Sequence, residues 1–145
     1  MTAQITELRA LEIFSNVPDG CRLHLMSDDR HDPHLREGEW AVVDPSDRDL
    51  VSGELYQIQW KSGTERLAIM QVTRRLRHGV DGIWLTPLRK PVFLPNGDLD
   101  WSKPIHMSDG PLKPEFLPEY LRGRVIGIYQ ATAALALPAP GQRRR

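Results

Sequence analysis

The sequence has very little of several features that define large classes of proteins. It contains one cysteine in 145 residues, which excludes an intramolecular disulfide and suits a reducing compartment. Its 19 basic and 19 acidic residues cancel to a formal charge of zero, so no global field attracts nucleic acid or a membrane surface. No stretch approaches the roughly 20 apolar residues of a membrane span, and the amino terminus lacks a signal-peptide pattern. These absences predict a cytoplasmic protein without membrane contact.

What is present indicates one domain that is mainly β. Apolar residues make up 40% of the chain, which is enough for a single hydrophobic core. Short apolar or alternating segments bounded by Gly, Pro, Asp and Ser are typical of strands. The segments predicted to be strands are 22–26, 39–43, 54–60, 66–76 and 82–86. Residues 61–64 are predicted to form the hairpin turn between the third and fourth of them, and the length of the fourth indicates a long, bent hairpin.

The two ends of the chain are predicted to lie outside this β domain. In segment 5–14, Ile5, Leu8 and Leu11 have helical spacing, which predicts a short amphipathic helix. We therefore expect a helix and turn over 1–20, a β domain over 21–130, and a tail over 131–145. The tail is rich in alanine and proline and ends in a basic run, and it is predicted to be mobile.

Segment 87–119 is rich in proline and interrupts the regular pattern. Proline lacks the backbone donor that a central strand needs, so this density predicts a long insertion that follows a fixed path. Within it, Asn96-Gly97-Asp98 is a strong turn signal that predicts a small hairpin between 92–94 and 99–101. A long ordered loop is often a binding element, whereas disorder is the competing explanation, and both remain open.

One motif carries most of the functional information. Residues 28–56 resemble the start of the peptidase domain of LexA-type and phage repressors, which has the pattern Gly-Asp-Ser-Met-x-Pro-x-Leu-x-x-Gly-Asp followed by an apolar strand ending in Asp and a Gly-x-x-Tyr turn. The positions that match are Asp29, Pro33, Leu35, Gly38, Asp44, Gly53 and Tyr56, with Glu39 in place of the second Asp. Segment 122–129 resembles the strand that closes the core sheet in this family.

The resemblance fails at the two catalytic positions. Arg30 stands where the family has its nucleophilic serine, and Met70 stands where it has the lysine base, with Gln71 as the neighbouring possibility. A guanidinium is not deprotonated near neutral pH, and neither a thioether nor an amide can act as a base. Lys61 is nearby in sequence but belongs to the predicted turn. The pattern therefore predicts a LexA-like domain that has lost its serine-lysine dyad.

The resemblance implies a function by binding. In the family, the substrate segment lies as an extended strand across a cleft beside the serine, and the domains pair through their carboxy-terminal strands. We therefore expect a protein or extended-peptide partner, a homodimer, and a regulatory role related to transcription, to phage or to the SOS stress response. The predicted binding residues are Asp29, Arg30, His31, Met70 and Gln71. Arg30 is expected to pair with a carboxylate of the ligand, and no cofactor is expected.

Three alternatives remain open. The protein could be a peptidase with a displaced nucleophile, for which Ser27 is the candidate. His31 and His34 are ligand types for a metal, but their spacing is not a recognised zinc pattern, and no metal is predicted. It could instead be a nucleic-acid accessory that uses basic clusters to contact phosphates, although the balanced charge disfavours this. Those clusters are Arg74, Arg75, Arg77 and the tail residues 143–145.

Overall fold

The computed structural model describes residues 11–60, 67–103 and 108–131. These residues are mainly β, as the sequence predicts, and they form eight strands and one 3₁₀ helix over Pro114–Glu119. The strands are β1 (Glu12–Phe14), β2 (Arg22–Leu25), β3 (Trp40–Asp44), β4 (Glu54–Gln59), β5 (Leu67–Arg77), β6 (Val80–Thr86), β7 (Asp109–Leu112) and β8 (Leu121–Tyr129).

The eight described strands belong to one sheet, and β8 lies in its interior, between β3 and β4. The strand order is β2-β3-β8-β4-β5-β6-β7, and every neighbouring pair is antiparallel. β8 pairs with β3 along one side, while its other side pairs first with β4 and then, in parallel, with β1. The segment predicted to close the core sheet is therefore an interior strand, which joins β3 to β4.

Two glycines allow neighbouring strands to approach β8 closely. A Cβ on Gly127 would collide with the backbone oxygen of Glu12 and the ring of Phe14. A Cβ on Gly123 would lie 2.6 Å from the backbone oxygen of Asp44, and the φ angle of Gly123 is 152°, a conformation that favours glycine. Both contacts are with backbone, which cannot move aside as a flexible side chain can.

The sheet is strongly curved, because β2 contacts β4 although β3 and β8 lie between them. Three strand spacings in a flat sheet amount to about 14 Å. The Nδ1 atom of His24 on β2 nevertheless lies 3.0 Å from Nε2 of Gln57 on β4, and Nε of Arg22 lies 3.0 Å from Oε1 of the same amide. The curvature brings the edge strand β2 over the inner face of the sheet.

The core consists of two clusters on opposite faces of the sheet. One packs beneath the loop that connects β2 to β3 and comprises Met26, Leu35, Ala41, Val43, Leu55, Ile69, Val125 and Ile128. The other lies under the 3₁₀ helix and comprises Tyr56, Ile58, Met70, Val72, Ile83, Leu85, Leu117 and Leu121. Because both clusters draw on β4 and β5, these strands are buried on both faces and lack a simple polar alternation.

The prediction of a helix over 5–14 is wrong where the structure describes it. Residues 12–14 form β1, which lies in register with Gly127 to Tyr129 of β8. The backbone pairing and the contact of Phe14 with Gly127 outweigh the helical spacing of Ile5, Leu8 and Leu11. Residues 5–10, the turn at 61–64 and tail residues 132–145 lie outside the described residues. Across the ranges that the structure describes, no helix is long and apolar enough to cross a membrane.

Segment 87–119 contains more regular structure than its proline content predicts. The hairpin expected around Asn96-Gly97-Asp98 is present, since Phe93 bridges Leu99 and the N–H of Leu94 donates to the carbonyl of Asp98 at 2.7 Å. Further along, β7 pairs with β6, and the 3₁₀ helix follows with prolines at both its first turn and its interior. β7 is an edge strand, the place where a sheet tolerates proline.

Candidate functional site

The loop between β2 and β3, residues 26–39, carries the residues of the motif and is closed at its base. The N–H of Met26 donates to the carbonyl of Glu39 at 2.9 Å, and the N–H of Gly38 donates to the carbonyl of Met26 at 2.8 Å. Leu35 is fully buried in the core beneath it. The loop is thus tied to the sheet at both ends and at its middle. We call it the motif loop.

His31 fastens the motif loop to β5. The side chain is fully buried, and its Nε2 lies 2.6 Å from the carbonyl oxygen of Ile69. Its Nδ1 accepts a hydrogen bond from the backbone N–H of Leu88 at 3.1 Å. Because Nδ1 is an acceptor, the hydrogen is on Nε2, which donates to Ile69. His31 is therefore a structural link between three segments and not a free ligand-binding group.

Arg30 lies at the centre of the site and contacts two side chains. Its Nε and Nη2 both lie 3.0 Å from Oδ2 of Asp28, a side-on ion pair that is about one-third exposed. Its Nη1 lies 3.4 Å from the sulfur of Met70, forty residues away in sequence. The two positions at which the sequence predicts a lost serine and a lost lysine are thus in direct contact.

Asp29 is also engaged in an ion pair. Its Oδ2 contacts Nη1 of Arg89, which lies just after β6, and the backbone N–H of Arg89 donates to the carbonyl of Arg30 at 2.8 Å. These bonds hold the residues after β6 against the motif loop. Asp29 is therefore better placed to stabilise the loop than to bind a ligand.

Met70 and Gln71 point to opposite faces of β5, as neighbours on a strand must. Met70 is buried beside Tyr56, with its sulfur at Arg30. The side-chain amide of Gln71 donates to the carbonyl of Gly53 at 2.9 Å and accepts from the hydroxyl of Thr86 at 3.2 Å. Gln71 therefore supports the β4 turn and takes no part in the site around Arg30.

A pocket of about 80 Å³ opens beside Arg30. Its walls come from the end of β2, the motif loop, the end of β4 and the start of β5. The lining residues are His24, Met26, Ser27, Asp28, Arg30, Trp60, Leu67, Ala68 and Ile69. Of the five predicted binding residues, only Arg30 lines it. The contribution of β2 has no signal in the sequence, because the curvature that brings His24 into the site depends on long-range pairing.

His24 is uncharged in this setting near neutral pH. Partial burial lowers the pKa of its imidazole, and the nearby Asp28 carboxylate opposes that shift only in part. Because Oε1 of Gln57 accepts from Arg22, its Nε2 is the amide donor to His24 Nδ1. The imidazole is thus held as a neutral acceptor toward Gln57.

The start of β5, next to this pocket, pairs with a described strand on one side only. β4 pairs with β5 from Leu67 to Val72, whereas β6 pairs with it only from Gln71 onward. On that second side, no described strand pairs with the segment from Leu67 to Met70. The carbonyl of Ile69 points to this side, because it accepts from His31, and the backbone groups of Leu67 point the same way. Leu67 is 46% exposed and accessible to a ligand.

Two alternative centres gain little from the geometry. Ser27 lines the pocket, but no hydrogen bond links its hydroxyl to His24 or to any other base among the described residues. His34 is exposed while His31 is buried with both ring nitrogens engaged, so a metal at His31 would break two hydrogen bonds. Within the described ranges, no three His, Cys, Asp or Glu residues are arranged to hold a metal ion.

The basic cluster lies at the projecting end of the β5–β6 hairpin, which turns at His78 and Gly79 with φ angles of 52° and 77°. Arg74 is paired with Asp81. The Arg75 guanidinium lies 5.6 Å from the centroid of the Trp84 ring, and Arg77 is exposed.

In comparisons with known proteins, no protein-family model, curated protein or solved structure matches this chain.

Proposed function

We propose that this protein is a catalytically inactive, LexA-like peptidase-type domain that acts as a protein- or peptide-binding regulatory module. The observation that carries the proposal is the contact between Arg30 and Met70 at 3.4 Å. The family pattern predicts that these two positions face each other across a catalytic site, although they are distant in sequence. Their contact supports the alignment from which the loss of the dyad is inferred.

The side chains present offer no route to a serine-lysine mechanism. Such a dyad needs a hydroxyl that loses its proton to a neighbouring amine. Arg30 keeps its charge, since a guanidinium is protonated at any physiological pH and Asp28 lies beside it. Met70 has only a weakly accepting sulfur. Enzymatic activity through these positions is therefore not expected.

Peptide binding is supported by the start of β5, where Leu67 is exposed and no described strand pairs on the second side. An extended segment could form backbone hydrogen bonds with Leu67, before the point where His31 occupies the carbonyl of Ile69, and the adjoining pocket would give selectivity. The motif loop that walls the pocket is fixed by His31 and closed at its base, so the site is preorganised. A partner that presents an extended chain, such as a regulatory protein of a phage or stress response, fits this surface.

Restoring the dyad tests the first half of the proposal. The double variant Arg30→Ser/Met70→Lys should react with a fluorophosphonate that labels activated serines, and the matched control Arg30→Ser alone should not. The wild-type protein should remain unlabelled. Labelling of the wild type at Ser27, abolished by Ser27→Ala, would establish the displaced-nucleophile alternative and refute the inactive reading.

The second half is tested with peptides selected from a displayed library against the wild-type protein. Amide resonances of Leu67 and Ile69 should shift on addition of a selected peptide. Arg30→Ala should weaken binding, whereas Arg36→Ala, an exposed arginine of the same loop, should leave it unchanged. Equal affinity for both variants, with shifts confined to another surface, would remove the site from consideration.

Homodimerisation remains a prediction, and the structure limits how it would occur. β8 is paired on both sides, so a dimer through this strand would use its face and not its edge. One row of side chains crosses that face in register, namely Leu25, Trp40, Tyr129 and Phe14. Leu25 and Trp40 are 47% and 39% exposed, which leaves an apolar surface for a second copy.

The nucleic-acid alternative is favoured by one observation. The β5–β6 hairpin is a two-stranded ribbon with exposed arginines on its projecting end, a shape that a major groove admits. Arg75 and Arg77 lie on one face of it with Trp84, because residues two apart share a face. Asp81 offsets part of the charge by pairing with Arg74. Binding here would consist mainly of phosphate contacts.

A further inference from the structure

The Arg30–Asp28 pair has an unequal supply of donors and acceptors. Oδ1 of Asp28 accepts from the backbone N–H of Arg30 at 3.1 Å and from Nε at 3.2 Å, while Oδ2 accepts from Nε and Nη2 at 3.0 Å. Both carboxylate oxygens are thus occupied. A guanidinium carries five N–H groups, and Asp28 uses only those on Nε and one on Nη2. Among the described residues, the one contact of Nη1 is the weak acceptor of Met70, so its hydrogens can serve a ligand.

Among the described residues, the charges around the pocket are balanced. Arg30 is neutralised by Asp28, Asp29 is paired with Arg89, and His24 is a neutral imidazole. A ligand carboxylate at Arg30 would lie beside the Asp28 carboxylate and be repelled by it. Otherwise it would have to displace Asp28 from its three contacts with the guanidinium of Arg30. A ligand ammonium would meet Arg30. Like charges at such separations cost several kcal/mol, so the site favours neither ion.

Part of the remaining wall is apolar and can contact aliphatic carbon. Met26, Trp60, Leu67 and Ile69 line the pocket next to the ion pair. A volume of about 80 Å³ holds one side chain of moderate size and no large ring system. The site therefore combines a mainly polar surface with a smaller apolar part, spare N–H donors and, among the described residues, balanced charge.

We propose that this pocket binds the side-chain amide of an asparagine or glutamine in an extended peptide, with the amide oxygen accepting from Arg30 and the methylene groups on the apolar wall. This inference rests on the proposed peptide-binding function and replaces the carboxylate expected from the sequence. An uncharged carbonyl oxygen uses the spare donors without opposing Asp28. Peptides with Gln or Asn at the pocket position bind about tenfold tighter than their Glu or Asp counterparts.

Asp28 determines this selectivity, and its replacement reverses it. Asp28→Asn keeps the shape of the side chain but leaves Arg30 with an uncompensated positive charge. A ligand carboxylate then forms a charge-assisted pair with the guanidinium, which is stronger than the bond to a neutral amide. The variant therefore prefers Glu or Asp over Gln or Asn. Asp32→Asn, a change of the same kind in the same loop, leaves the order of the wild type unchanged.

The test uses a capped strand-forming peptide, with one guest position occupied in turn by Gln, Asn, Glu, Asp, Lys and Ala. Its affinity for the wild type, Asp28→Asn and Asp32→Asn is measured by titration calorimetry, and the shifts of Leu67 and Ile69 locate the peptide. Tighter binding of Gln or Asn to the wild type, with Glu or Asp preferred by Asp28→Asn, is the expected result. Preference of the wild type for Glu, Asp, Lys or Ala overturns the inference.

The failures of the two proposals are distinguishable. If every guest binds equally at Leu67 and Ile69, the peptide site stands and the amide selectivity is overturned. If no guest binds, the proposed peptide-binding function fails and the selectivity fails with it. If circular dichroism shows that Asp28→Asn is unfolded, the order of guest affinities for the wild-type protein alone tests the amide selectivity, because that order requires no variant.

Discussion

Replacing His31 with alanine should lower the free energy of unfolding strongly, although His31 belongs to a loop between two strands. The substitution leaves the carbonyl of Ile69 and the N–H of Leu88 without partners. An unsatisfied buried backbone group costs about 1–3 kcal/mol. Ile69 is 2% exposed and should lie at the upper part of that range, whereas Leu88 is partly exposed and water can reach it. The emptied space beneath the loop adds about 1 kcal/mol.

The total loss is about 3–5 kcal/mol, a large part of the roughly 5–15 kcal/mol that stabilises a typical domain. Urea unfolding followed by tryptophan fluorescence measures it as a shift of the midpoint at constant slope. His34→Ala is the matched control, because His34 is exposed three residues later in the same loop. It should change stability by less than about 0.5 kcal/mol. A loss below about 1 kcal/mol for His31→Ala would refute the reasoning, as would equal losses for the two variants.

Two further predictions concern pH and salt. Burial lowers the pKa of His24 in the folded state, so this imidazole binds a proton more readily in the unfolded chain. The stability that neutral His24 contributes is therefore lost as the pH falls below the pKa of an unfolded histidine, about 6.5. The urea midpoint should therefore fall from pH 7.5 to pH 5 less steeply in His24→Asn than in the wild type; parallel curves would contradict this. If the hairpin binds duplex DNA through two phosphate contacts, the logarithm of the wild-type binding constant should fall with the logarithm of salt concentration with a slope of about −2. The double variant Arg75→Gln/Arg77→Gln should abolish this salt-dependent binding. Fluorescence anisotropy of a labelled duplex measures the binding constant, and Arg36→Gln/Arg48→Gln is the control. Unchanged binding in the hairpin variant would place the DNA contact elsewhere.

The site was predictable from the sequence as far as local pattern extends. The spacing of Asp29, Pro33, Leu35 and Gly38 placed Arg30 on a loop between two strands, and a count from the following turn selected Met70 as its neighbour; the structure brings those two side chains together. The strands β3 to β6 also followed from alternation and turn residues, since these signals arise from neighbours in sequence.

What escaped prediction depends on contacts between distant segments. Residues 12–14 have no strand signature of their own and are extended because β8 and Gly127 receive them. The role of Asp28 was missed, although an Asp two residues before an exposed backbone N–H is a common turn former. The structural use of His31 could not be read from composition, because its partners lie at positions 69 and 88.

The position of β8 between β3 and β4 affects how the protein folds during synthesis. Synthesis proceeds from the amino terminus, and domains tend to fold as the chain emerges. β3 and β4 are separated in the sheet by a strand that the ribosome delivers after both of them and after the whole segment 87–119. Until residues 121–129 are available, the two halves of the sheet each present an open strand edge, the kind of surface that invites pairing with other chains. We therefore expect nascent chains of this protein to need protection by chaperones until β8 has been synthesised.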